Sequence, residues 1–314
     1  MLSLLFIAIQ TSNSSMHNSF DAVCFGETLW DLLPTGARPG GAPMNVAYHL
    51  QKLGLKAAII SRVGKDQRGD DLLKVLQQNS VATDFVQVDA EHPTGVVNAT
   101  LHESNEVSYE IVHPVAWDFI KLEQGLAELV QKAKFFIFGS LAARDQTTAQ
   151  SLWQLVEAAQ TKVVDINLRP PHFTRELVEK LLHCTDILKL NEHELPLITS
   201  WFSDDHNPVE QVRHLQDRFS IPTIIVTQGG SGAMVCHNGD TYSHPGYKIK
   251  VADTIGSGDA FLAAFLAKSN KGAPINECLQ AANALGAFIA SKEGACPAYE
   301  LNETALVTGD LPAT

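Results

Sequence analysis

The sequence predicts an α/β fold: a mostly parallel β-sheet with helices on both faces and a small β-sheet insertion. Three observations predict it. Short apolar runs alternate with longer amphipathic ones along 314 residues. Most of the short runs are continuously apolar, as strands buried on both faces should be. One segment, residues 93–114, instead alternates with period two, as a β-hairpin with one polar face does.

The expected strands are 22–26 (AVCFG), 57–64 (AAIISRVG), 135–140 (FFIFGS), 162–168 (KVVDINL), 186–191 (DILKLN), 223–230 (TIIVTQGG) and 232–237 (GAMVCH). Helical patterns fall between them at 44–53, 70–78, 147–160 and 208–219. Repeated βα units imply a parallel sheet covered on both sides. The hairpin turns at Ser104-Asn105, and such an insertion can serve as a lid or as a homodimer surface. No repeat, low-complexity tract or linker follows residue 20, so residues 20–314 form one domain, its lid drawn from about 29–42 and 93–116. The first ten residues are apolar but too short to span a bilayer, and they lack a basic flank. Residues 1–19 are therefore expected to be a disordered extension, with Met16 a candidate natural start and a cleaved export signal the alternative.

Apolar content of 45% and charged content of 18% fit a compact soluble protein. A net charge of −12 argues against nucleic-acid and anionic-membrane partners, which require a basic face. An acidic protein can hold an anion only with local devices: backbone amides, a few cations or a metal ion. Five dispersed cysteines without a CxxC pair point to a reducing, cytoplasmic compartment. They form no zinc-ligand spacing with the histidines, and His193 has no partner at the HExxH position.

Two glycine-rich segments carry chemistry. In DTIGSGDAFLAAF (253–265), Gly256 and Gly258 precede an apolar helix. A helix start has unpaired amides and a partial positive charge, and glycines let an anion approach them. Gly256, Ser257 and Gly258 thus read as a cradle for a phosphate, and Asp259 in the same turn as a proton acceptor for an attacking hydroxyl. That positive potential is expected to favour ionised Asp259. The plainer alternative makes Ser257 or Asp259 a helix cap. In PGGAPMNVAYHLQKLG (39–54), Gly40 and Gly41 precede a helix with Pro43 in its first turn, and Asn45 projects from that turn. Such a set can hydrogen-bond a sugar, with Asp31 as a further acceptor. Gly26-Glu27, Asn167, Asn191 and Gln228-Gly229 fall at expected strand carboxyl ends, where ligands bind in open parallel sheets. A P-loop, a GxSxG elbow and a GxGxxG turn after the first strand are all absent.

Together, and in this order, the two segments resemble the paired signatures of the ribokinase-like (PfkB-type) carbohydrate kinases, over a span from Asp21 to about Pro297. The resemblance implies a Rossmann-like domain with a β lid and transfer of phosphate from ATP to a sugar. Asp259 then matches the catalytic base, and Gly256, Ser257 and Gly258 the anion hole, where the family usually has alanine at the Ser257 position. Asp31, Gly40, Gly41 and Asn45 match sugar-binding positions. Asn191 and Glu194, in NEHE, resemble the motif that holds Mg²⁺ through water. Thr227, Gly229 and Gly232, in VTQGGSG, resemble the nucleotide strand and turn, and Asn283 matches a position beside adenine. Asp253 and Ile255 match a monovalent-cation site, which implies K⁺. GGAPMNVA and DINLRPP, with Asn167 and Arg169, look most like fructokinases. The alternatives are a 2-keto-3-deoxygluconate kinase and, less favoured, an idle sugar-binding homologue.

Overall fold

The structure is a computed structural model that describes residues 19–34, 36–101 and 107–304. Two sheets organise it. The main sheet contains β1 (Ala22–Phe25), β4 (Ala57–Gly64), β5 (Val86–Asp89), β8 (Phe135–Gly139), β9 (Thr161–Asp165), β10 (Ile187–Asn191), β11 (Thr223–Thr227), β12 (Ala233–His237) and β13 (Asp240–His244). Their order is β13-β12-β11-β10-β9-β8-β1-β4-β5. Every pairing from β11 to β5 is parallel, while β12 and β13 are antiparallel. A second sheet, in the order β3-β2-β6-β7, contains β2 (Leu29–Leu33), β3 (Gly36–Gly40), β6 (Gly95–Leu101) and β7 (Val107–Ile111).

Strand side chains alternate between the faces of the main sheet, and each face builds its own core. Ala22 and Cys24 of β1 join Ile59, Ile137 and Ile225 under α1 (Ala42–Lys52), α2 (Gln67–Gln78), α8 (Ser257–Asn270) and α9 (Ile275–Ala290). Val23 and Phe25 join Ile60, Phe136, Phe138 and Leu188 under α3 (Leu126–Lys132), α4 (Gln146–Ala158), α5 (Arg175–His183), α6 (Glu194–Thr199) and α7 (Pro208–Phe219). Continuous apolar strands are what this two-sided burial requires.

The hairpin expected at 93–114 is the antiparallel pair β6–β7, and β6 also pairs in parallel with β2. The small sheet therefore unites two distant segments as a lid-like insertion. The expected Ser104-Asn105 turn lies outside the described residues, as do residues 1–18 of the expected extension. Asp66 anchors the root of the small sheet: it caps α2 through the Gly69 amide and accepts the Thr94 amide and hydroxyl at 2.8 and 2.7 Å. Several boundaries differ from expectation. Strand 162–168 ends at Asp165, because Asn167 turns the chain with φ 39°. Strand 223–230 ends at Thr227, before a left-handed Gly229. The helix expected from residue 44 starts at Ala42, because Pro43 is pre-set for a first turn.

Candidate active site

Asp259 lies buried in the first turn of α8. That turn begins at Gly256, whose φ is 77°, and a Cβ there would sit 2.5 Å from the Ala295 Cα. Both the left-handed backbone and the close approach require glycine. No side chain caps this helix. The Ser257 hydroxyl donates to the Thr254 carbonyl at 2.8 Å, and Asp259 Oδ2 accepts the Asn45 Nδ2–H at 2.8 Å. The capping alternative therefore fails for both residues. The carboxylate faces the neighbouring helix α1, and at the positive start of α8 the Ser257 amide donates to the Thr254 carbonyl at 3.3 Å with no side chain capping the turn.

A buried ion pair stands beside it. Lys189 Nζ donates to Asp165 Oδ2 at 2.7 Å, and a Cβ on Gly258 would lie 3.3 Å from that same Nζ. Burial alone would lower the Lys189 pKa, but Asp165 and Asp259 together hold it above its ordinary value. Asp259 departs from expectation. Burial, and then the negative charge of Asp165, push its pKa up to about 6, against the lowering effects of Lys189, the Asn45 hydrogen bond and Arg169. Desolvation outweighs the helix start, yet the group is still mainly ionised at neutral pH.

The residues expected to bind a sugar lie close to one another. Asp31 on β2 and Gly40 at the end of β3 belong to adjacent strands, and a Cβ on Gly40 would overlap the Asp31 carboxylate. One on Gly41 would overlap the Glu27 carbonyl. Glu27 Oε1 accepts the Ala42 amide at 3.2 Å, so a carboxyl group meets the first amide of α1. Its Oε2 is buried without a partner. Burial raises Glu27 to about 7 and Asp31 to about 6. The positive charge of Arg169 counters that rise in Glu27, Asp31 and Asp259 alike, and its guanidinium donates to the Leu168 carbonyl at 3.3 Å.

Asn167 and Asn191 shape loops at strand ends. Asn191 Oδ1 accepts the His193 and Glu194 amides at 2.9 and 3.0 Å. Glu194 accepts the Leu168 amide through Oε1 at 2.7 Å and the Asn191 amide through Oε2 at 2.9 Å, tying the loop that carries Asn167 to the end of β10. Burial raises the Glu194 pKa. With both oxygens engaged, Glu194 can reach a metal only through its remaining lone pairs, as a water-mediated role requires. No group of three or more His, Cys, Asp or Glu residues among the described ones could cage a metal ion. Mg²⁺ keeps several waters and binds chiefly through phosphates, so this donor set fits an ion that arrives with a nucleotide.

The remaining expected positions spread along the neighbouring edge. Thr227 ends β11, and Gly229 follows with φ 52°. A Cβ on Gly232 would overlap the His244 carbonyl, so that glycine serves a close backbone crossing. Asn283 is buried on α9, and its Nδ2–H donates to the Leu279 carbonyl at 2.8 Å within the same helix. The Asp253 carboxylate accepts the Ile255 amide at 3.0 Å and the Gly294 amide at 3.1 Å. Sequence reasoning missed Lys189, Asp165 and Cys296 as members of the site. A lysine inside the apolar run DILKLN was the available signal, because buried lysines are rarely unpaired. Cys296 carried no signal.

This architecture has close counterparts. A family model described as "pfkB family carbohydrate kinase" matches residues 21–301. A probable chloroplastic fructokinase-6 from Arabidopsis thaliana is 30% identical, the match covering 93% of this chain and 83% of the relative. A crystal structure of a fructokinase from Xylella fastidiosa with bound ATP superposes with a TM-score of 0.81 at 23% identity, over 92% of this chain and 98% of that one. A fructokinase double mutant from Vibrio cholerae O395, solved with fructose, ADP and a potassium ion, gives a TM-score of 0.79 at 25% identity, over 92% and 98%. A match over nearly the whole described chain, on a fold whose strand ends carry the expected groups, leads to one conclusion: the chain belongs to the pfkB family of carbohydrate kinases.

Proposed function

We propose that the protein transfers the γ-phosphate of ATP to the 6-hydroxyl of D-fructose, with Asp259 as the base. The observation that carries this reading is the contact between Asn45, on the glycine-flanked helix α1, and Asp259, at the uncapped start of α8. It sets a polyol-binding amide beside a carboxylate and an anion-binding helix start. In the step itself, the fructose oxygen forms a bond to phosphorus and the bond from phosphorus to the ADP oxygen breaks. The hydroxyl proton passes to Asp259. The Gly256-Ser257-Gly258 turn is assigned to the charge that spreads over the transferring group, with the Gly256 and Gly258 amides as donors because the Ser257 amide is bonded to the Thr254 carbonyl. Bound Mg²⁺ neutralises phosphate charge, and Glu194 and Asn191 are the residues that would hold its waters. Thr227, Gly229, Gly232 and Asn283 are assigned to the nucleotide, and Asp253 and Ile255 to a K⁺ site like that implied by the potassium-bound relative.

Fructose is favoured over 2-keto-3-deoxygluconate by the acidic groups of the site: burial already raises the pKa values of Asp31, Glu27 and Asp259, and a substrate carboxylate would add to them. A neutral ketose brings no further negative charge into this pocket. The names of the curated relatives support the same choice. Five free thiols support a cytoplasmic setting, and the exposed Tyr109 on edge strand β7 supports the small sheet as a homodimer surface. The deciding experiment is a coupled ADP-release assay with fructose, ribose, glucose, 2-keto-3-deoxygluconate and adenosine. Fructose is expected to give the highest kcat/KM, and a markedly higher value for the acid sugar overturns the assignment.

A further inference from the structure

Residues 294–299, beyond the end of α9, run between α1 and the start of α8 and touch both. The Gly294 amide donates to Asp253, and Ala295 lies against Gly256. On the α1 side the fully buried His49 is held at both ring nitrogens, by the Ala295 carbonyl at 2.9 Å from Nε2 and the Tyr299 hydroxyl at 3.0 Å from Nδ1. Burial lowers the His49 pKa to about 4, so the ring is neutral. A carbonyl can only accept, so Nε2 carries the proton and Nδ1 accepts from Tyr299. The Tyr48 hydroxyl adds a bond to the Pro297 carbonyl at 2.5 Å. The segment thus straps the sugar-side helix to the catalytic helix.

One side chain of the strap reaches the reacting groups. Cys296 Sγ lies 3.3 Å from Asn45 Oδ1, on the opposite end of the amide from the Asp259 contact. We propose that Cys296 is a positioning residue: its S–H donates to Asn45 Oδ1 and thereby fixes the amide with its N–H toward Asp259. The inference rests on the kinase reading above. Its logic is one of donor inventory. Burial and the charge of Asp259 raise the thiol pKa, so the group stays S–H and can donate. A flipped amide would set its oxygen against a carboxylate and its NH₂ against a weak acceptor, losing both bonds. The thiol therefore adds to the preference that the Asp259 carboxylate already imposes between two amide orientations of similar shape, holding the one that supports the base and leaves it ionised.

The test uses Cys296→Ala and the better-filling Cys296→Val, neither of which can donate, together with Cys296→Ser, which can. Each is assayed against the best sugar of the wild type. Both donor-free variants are expected to raise the sugar KM about three- to tenfold with the ATP KM unchanged. They are also expected to move the acid limb of kcat/KM to higher pH, because a bond that lowers the Asp259 pKa is lost. Serine restores both values. A merely structural cysteine would lower Tm without moving the acid limb. An active wild type whose folded Ala or Val variant keeps the sugar KM and acid limb, or whose Ser variant fails to recover them, overturns the inference alone. A wild type inactive on every sugar overturns the functional reading, and the inference with it.

Discussion

Replacing Asp259 with asparagine should damage catalysis and stabilise the fold. Asparagine keeps an oxygen for the Asn45 Nδ2–H but cannot take a proton, so kcat is expected to fall about 10²- to 10⁴-fold, the range for loss of a general base. The stability effect follows from the pKa. Asp259 rises from an ordinary 3.8 to about 6 in the folded protein. A carboxyl group whose folded pKa is raised binds protons more tightly when folded. Its ionisation therefore costs stability as pH climbs through 3.8 to about 6, and that cost is fully present at pH 7. At about 1.4 kcal/mol per pH unit the cost is at most roughly 3 kcal/mol, and asparagine removes it. Asp259→Asn should thus unfold at a higher temperature than the wild type at pH 7.5, with the difference shrinking toward pH 4. Scanning calorimetry at the two pH values, beside steady-state kinetics, reads both effects. A variant with near-normal kcat and a lower Tm would refute the argument, because the carboxylate would then be a structural element.

Three further outcomes follow from neighbouring groups. Asn45→Ala removes a hydrogen bond from Asp259 and an amide from the sugar pocket, so the sugar KM should rise by roughly 5- to 100-fold while the ATP KM stays level; steady-state kinetics with either substrate varied checks this. In the wild type, kcat/KM should fall as pH drops through about 6, where Asp259 protonates, and a pH–rate profile flat from 5 to 8 removes Asp259 as the base. Lys189→Met leaves Asp165 buried without its partner, which should destabilise the protein by about 3–5 kcal/mol in a denaturant titration.

The sheet was legible because burial on both faces writes itself into sequence as unbroken apolar runs, and runs such as AAIISRVG and FFIFGS became β4 and β8. The edge strands β5 and β13 were not, since strands that expose alternate residues in only four or five positions carry too little pattern. The glycines of the site were legible because only glycine fits where Gly256 meets Ala295 and Gly40 meets Asp31. What the sequence hid was the balance of charge. The helix-start argument alone sets Asp259 low, and only the fold brings Asp165 and burial to bear on it. Cys296 was hidden for a different reason: its role depends on a contact with a residue 251 positions away.

That balance explains how a protein of net charge −12 handles a phosphate donor. One of the two cations at the site is already paired. Lys189 is bonded to Asp165, and Arg169 offsets the charge of Asp31, Glu27 and Asp259. Lys189 is thus not a free counterion for a triphosphate. The physical role of the two cations is to let several carboxylates coexist in a buried space, where unpaired charges would neutralise or unfold the site. In the proposed reaction the charge that moves during transfer therefore falls to the start of α8, which no side chain caps, and to the metal that would enter with the nucleotide. On the proposed function, reliance on a metal-bound nucleotide then follows from an acidic site whose buried lysine is already bonded to its own aspartate.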